Sequence, residues 1–108
     1  MNHPRTITKE AFFSDVYAVV AQIPHGCVVS YGEIALLLGQ PQYSRMVGRA
    51  LRLAPTELHL PCHRVVNAQG RTAPGWVEQR SLLMAEGVPF KRGGDVDMKR
   101  CKWQWEEF

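Results

Sequence analysis

Ser30-Tyr31-Gly32-Glu33-Ile34-Ala35-Leu36-Leu37-Leu38-Gly39-Gln40-Pro41-Gln42-Tyr43-Ser44-Arg45-Met46-Val47-Gly48-Arg49-Ala50-Leu51-Arg52 reads as two short helices joined by a Gly/Pro turn. Ser30 followed three residues later by Glu33 is the capping-box pattern. It predicts a helix over about 31–38 with Ile34, Leu37 and Leu38 on one side, stopped at Gly39 and kept from continuing by Pro41. Ser44 is expected to cap a second helix over about 45–53, ended by Pro55. In that helix Met46, Val47, Ala50 and Leu51 can face inward. Arg45, Arg49 and Arg52 then fall at i, i+4 and i+7 on one exposed stripe. Gly48 costs helix propensity, which points to a close approach of its backbone to a neighbouring helix or a phosphate. Two capped helices around a tight turn have the layout of a helix-turn-helix, whose second helix enters a groove of DNA.

Outward from this pair, residues 10–23 place Phe12, Phe13, Val16, Tyr17, Val19, Val20 and Ile23 at helical spacing, and Pro24-His25-Gly26 ends the run. Cys27-Val28-Val29 is a short β-prone segment, and Val65-Val66 is a second one, followed by a turn at Asn67–Gly70. Residues 76–86 predict a further helix with Trp76, Val77, Leu82, Leu83 and Ala85 as its apolar residues, closed by Gly87. Val88-Pro89-Phe90 is extended. Residues 91–94 read as a mobile loop, and 96–105 carries no assignable pattern.

At 108 residues, with 45% hydrophobic and 21% charged side chains, the chain has the size and composition of one globular domain, and general disorder is excluded. No apolar run approaches the roughly 18 residues of a membrane span, and the first residues show no signal-peptide pattern. Three cysteines, Cys27, Cys62 and Cys101, are odd in number and form no CxxC pair, which argues against a disulfide framework or a zinc cluster. A reducing, cytoplasmic setting, no metal and no cofactor are expected. Five arginines (Arg45, Arg49, Arg52, Arg64, Arg71) stand against one acid, Glu57, between Pro41 and Gly75, whereas the whole chain carries only +3. The positive excess is thus arginine concentrated in the central third, the side chain suited to phosphate and base recognition.

Cys62-His63-Arg64 places a nucleophile beside a base and a cation, a setting that lowers a thiol pKa from about 8.5 toward neutrality. Cys27 and Cys101 lack such neighbours and read as structural, Cys27 within an apolar strand. Pro61-Cys62-His63-Arg64-Val65-Val66, preceded by Ser30-Tyr31-Gly32-Glu33-Ile34-Ala35 and Arg45-Met46-Val47-Gly48-Arg49-Ala50-Leu51, resembles the C-terminal domain of the O6-alkylguanine-DNA alkyltransferases from about Phe12 to Phe90. The resemblance implies a mainly α fold with short strands, a winged helix-turn-helix-like DNA-binding domain of the alkyltransferase C-terminal type. One domain over residues 1–108 is expected, with 1–9 and 91–108 less ordered.

The resemblance also implies roles. A helix-turn-helix enters the minor groove of a duplex containing O6-alkylguanine, the damaged nucleotide is rotated out, and an arginine finger, Arg45, fills the gap. Cys62 is the alkyl acceptor, His63 the base that activates it through a water, Glu86 the group that orients His63, and Tyr31 a donor near the guanine. Ser44, Gly48, Arg49, Arg52 and Arg64, together with Arg45 and Tyr31, form the DNA-binding set. Read without the family, Tyr31 and Glu86 are plain helix-face residues, His63 a core histidine and Arg64 a buried ion-pair partner.

Three departures are visible. Ala54 stands where the alkyltransferases carry a bracing asparagine, the loop Ala73-Pro74-Gly75-Trp76 is shorter than theirs, and the N-terminal companion domain is expected to be lacking. With the Val66–Gly70 turn and Lys102-Trp103-Gln104-Trp105, these features resemble the alkyltransferase-like proteins, which bind alkylated guanine without repairing it and hand it to nucleotide-excision repair proteins. Three readings stand: alkyl transfer to Cys62 in a single turnover, lesion recognition without transfer, and a winged-helix transcription regulator. A monomer with no membrane association is expected in each.

Overall fold

The computed structural model describes residues 8–104. Helix α1 runs Lys9–Val20, capped by the Thr8 hydroxyl, which accepts from the Ala11 N–H at 3.0 Å. It stops at Val20, short of the expected residue 23, although Ile23 beyond its end is still buried. Strand β1 (Val29–Ser30) leads directly into α2 (Tyr31–Leu37). Both halves of the capping box form there: the Ser30 hydroxyl accepts from Glu33 N–H, and the Glu33 carboxylate accepts from Ser30 N–H.

A 3-10 turn, Pro41–Tyr43, then feeds α3 (Ser44–Arg52). This corrects the expected cap. Tyr43 is the cap residue, Ser44 is already helical, and no side chain caps the helix. The 3-10 turn delivers the chain in near-helical geometry, so a serine cap in extended conformation has no place.

Strand β2 (Val65–Val66) pairs in parallel with β1, Val29 opposite Val65 and Ser30 opposite Val66. Successive strand residues point to opposite faces, and this small ladder therefore divides two cores. Val29 and Val65 join Phe12, Val16, Val20, Ile34, Val47 and Ala50 between α1, α2 and α3. Val28 and Val66 join Leu83, Val88, Val96 and Cys101 on the other side. Tyr17 fastens α1 to the end of α3 by donating its hydroxyl to the Ala50 carbonyl at 2.7 Å.

Helix α4 (Glu78–Ala85) begins later than predicted and buries a different face. Val77 is 82% exposed and Leu82 and Ala85 are exposed, whereas Gln79 and Leu83 are fully buried. The segment after residue 90 is folded through 104, contrary to expectation. Phe90 bridges Val96, α5 spans Met98–Cys101, and Val28 pairs with Lys102, so Val96 and Cys101 complete the second core. Cys27 is half-buried in the turn before Val28 and not in a strand. The expectations for 1–7 and for Trp105 lie outside the described residues.

Candidate nucleic-acid interface and thiol cleft

Helix α3 and Cys62 face one cleft of about 1180 Å³. That exceeds the roughly 300–1,000 Å³ of ordinary small-molecule pockets and leaves room for a nucleoside. Tyr31, Ser44, Arg45, Gly48 and Arg52 line it together with Cys62, His63 and the loop Ala73–Trp76. Arg45 and Arg52 are exposed at the α3 side, while Arg49 is exposed outside the cleft. A Cβ at Gly48 would lie 3.9 Å from the Tyr31 ring, an ordinary contact. Helix packing therefore does not demand this glycine; its effect is to leave the cleft wall open.

Cys62 opens a 3-10 turn (Cys62–Arg64), with its N–H donating to Leu60 O at 2.8 Å and the Arg64 N–H to Pro61 O at 3.0 Å. The thiol is not activated in the way its neighbours suggested. Burial pushes its pKa up, with backbone hydrogen bonding at Cys62 acting in the opposite direction. Both expected activators turn toward Glu86. His63 Nε2 lies 2.6 Å from Glu86 Oε2, and Arg64 donates from Nε and Nη2 to the same carboxylate at 2.8–3.1 Å. The Gly26 N–H adds a bond of 2.9 Å. Burial raises the Glu86 carboxyl, but the bonds from Arg64, Gly26 and His63 outweigh it and hold the pKa at about 2.

An ionised carboxylate can only accept, so the contact has Nε2 of His63 as its donor, and Nδ1 is the ring nitrogen not used by Glu86. Arg64 spends its remaining reach on the Ile23 carbonyl, 2.7 Å from Nη1. Its assignment to DNA contact is therefore corrected to that of a mostly buried ion-pair partner. The Tyr31 pKa is raised by burial, opposed by the Arg52 charge and reinforced by Cys62, so its hydroxyl stays a proton donor at the cleft wall.

Three residues here escape a reading of sequence. Gln79, wholly buried, bonds the backbone beneath His63 and in the Ala73 loop. A polar residue on a short helix reads as solvent-facing, and no local signal says otherwise. His59 lines the cleft in a left-handed conformation (φ 48°), the sole non-glycine with positive φ among the described residues. Tyr17 has its pKa raised by burial and then by Cys62, which places it within electrostatic reach of the thiol.

Comparison with known proteins bears on the same features. The family described as "6-O-methylguanine DNA methyltransferase, DNA binding domain" matches residues 11–88. A "DNA base-flipping protein" of Escherichia coli (strain K12) is 40% identical over 100 residues, covering 90% of this chain and 78% of the relative. A "methylated-DNA--protein-cysteine methyltransferase" of Methanosarcina acetivorans is 39% identical over 79 residues, covering 70% of this chain and 51% of the relative. Among solved structures, S. pombe Atl1 in complex with damaged DNA containing O6-carboxymethylguanine superposes with a TM-score of 0.77 at 34% identity, covering 88% of this chain and 96% of that one. Fold and sequence thus agree over most of the length: the chain belongs to the family of the 6-O-methylguanine DNA methyltransferase DNA-binding domain.

Proposed function

We propose that the protein binds duplex DNA at O6-alkylated guanine, turns the modified nucleotide out into the cleft between α3 and Cys62, and passes the alkyl group to Cys62. The observation that carries this reading is that Arg45 and Arg52 of α3 and the Cys62–His63 pair line one cavity of about 1180 Å³, roomy enough for a nucleoside. An atom inside a base stack is out of reach of a side chain, so extrusion is required, and the side chain that fills the gap comes from the groove-facing helix. Arg45 has that place. In the transfer the Cys62 sulfur forms a bond to the alkyl carbon as the carbon–O6 bond breaks. The thiol proton leaves through a water to His63 Nδ1, while Tyr31 donates to the departing guanine and is later reprotonated from His63. The known solved relative bound to O6-carboxymethylguanine DNA supports the lesion class.

The pKa of Cys62, raised by burial, favours a second reading in which the lesion is held without transfer, flagging it for nucleotide-excision repair proteins. One incubation separates the two. The intact protein is weighed after mixing with a short duplex containing O6-methylguanine. Gain of one methyl group, absent in Cys62→Ala, is the expected result. Unchanged mass with tight retention of the lesion duplex selects the second reading, and equal affinity for damaged and undamaged duplex sinks both.

A further inference from the structure

Gln79 sits in the first turn of α4 with none of its surface exposed, one of two buried polar residues among those described. All of its amide is used. Oε1 accepts from the Ala73 N–H at 2.6 Å, and Nε2 donates to the carbonyls of His63 at 3.1 Å and Val65 at 2.9 Å. Two of these partners, His63 and Ala73, line the cleft, and Val65 directly follows the turn that carries Cys62. His63 lies within that turn, and Ala73 begins the loop that lines the same cleft with Pro74, Gly75 and Trp76. Among the described residues, the loop's other backbone hydrogen bonds run inside it and into α4, Trp76 N–H to Ala73 O and Gln79 N–H to Trp76 O. On the far side of the turn, Ala54 lines the cleft with a methyl group and offers no polar atom.

We propose that Gln79 is a positioning residue for lesion recognition: by bonding both segments it sets the height of the Ala73–Trp76 loop above the Cys62 turn, and with it the width of the slot that receives the flipped base. The proposal rests on the lesion-binding reading above. A buried carboxamide whose donors and acceptor are all satisfied is rigid, because releasing any one bond leaves an unpaired polar group out of water. A site wall held in this way keeps its geometry before the ligand arrives, and misplacement by about 1 Å can cost about 100-fold where fit decides the outcome. None of the amide's bonds reaches α3, so the backbone-binding arginines are independent of it.

The test compares wild type with Gln79→Met, similar in length and lacking all three bonds. Two duplexes are titrated, one with O6-methylguanine and one unmodified but otherwise identical. Gln79→Met is expected to keep affinity for the unmodified duplex within about twofold and to lose about tenfold or more of the preference for the lesion. A purely structural role predicts a lower melting temperature with the preference intact, so a ratio unchanged within about twofold overturns the proposal. If the variant does not fold, hydrogen exchange on the wild type decides. The Ala73 amide should exchange at least about 100-fold more slowly than in an unfolded chain, and exchange at the unfolded rate overturns the proposal. Should wild type show no lesion preference at all, the functional reading fails, and Gln79 is judged without DNA. The rate of Cys62 alkylation by iodoacetamide, read by peptide mass, should change at least about threefold in Gln79→Met, and an unchanged rate overturns the positioning role.

Discussion

Of the two Glu86 oxygens, Oε1 accepts from Gly26 N–H and Arg64 Nε, and Oε2 meets His63 Nε2 and Arg64 Nη2. A carboxyl depressed from 4.5 to about 2 contributes stability that is complete above the unfolded value and fades as pH falls through the folded one. For a side chain this little exposed the contribution is on the order of 3 kcal/mol. Urea denaturation from pH 6 down to pH 2 should therefore show wild type losing stability mainly below pH 4.5, with Glu86→Gln less stable at pH 6 and flatter across that window. Parallel curves for the two proteins would mean that the carboxylate is not the hub of this cluster. The meeting of His63 with Glu86 is legible in the Pro-Cys-His-Arg motif and its family resemblance. The resting state of the thiol is not, because it depends on how deeply the folded chain buries it.

At the scale of elements, α2 and α3 differ in how much of them a linear reading captures. The box at Ser30 and Glu33 spans four residues, so the start of α2 is dictated locally. Ser30→Ala should cost about 1 kcal/mol, read as a lowered urea midpoint, and an unchanged midpoint would show the cap to be idle. The arginine register of α3 is equally local. Arg45 and Arg52 both line the cleft, but only Arg45 is assigned the gap left by an extruded nucleotide. Arg45→Ala should lower preference for the lesion about tenfold or more, whereas Arg52→Ala should weaken damaged and undamaged duplexes alike. Equal losses of preference count against the finger. Helix α4 defeats the same method: Val77 looks like core and is exposed, while Gln79 looks like surface and is buried. On eight residues the apolar pattern is too short to choose a face, and the neighbours that choose it lie in the 63–73 segment.

The molecule as a whole is two small cores separated by a two-residue ladder, with the segment after residue 90 closing the second. The close approach of Gly70 to the Val96 backbone, where an added Cβ would meet the Val96 carbonyl oxygen, fits the turn after β2 against that segment. Charge distribution also belongs to this scale. Arg64 is committed to Glu86, which leaves Arg45, Arg49 and Arg52 as the exposed arginines of α3 and, under the proposed function, the positive charges that would meet the duplex. Affinity for duplex DNA should fall with salt at a log–log slope of about −3, measured between 50 and 200 mM. A slope near zero would detach the arginine stripe from DNA binding.

Sequence alone settles what acts within a turn or so of chain. The capping box, the glycine and proline stops, the spacing of Arg45, Arg49 and Arg52 and the unbroken Cys62-His63-Arg64 motif need no distant partner to be read. Tertiary structure decides what depends on residues far apart. Arg64 reaches Glu86 across 22 positions, Glu86 reaches Gly26 across 60, and the burial that raises the Cys62 thiol is created by segments from both halves of the chain. Desolvation and ion pairing are properties of a packed volume, and a one-dimensional pattern carries no measure of that volume until the elements have met.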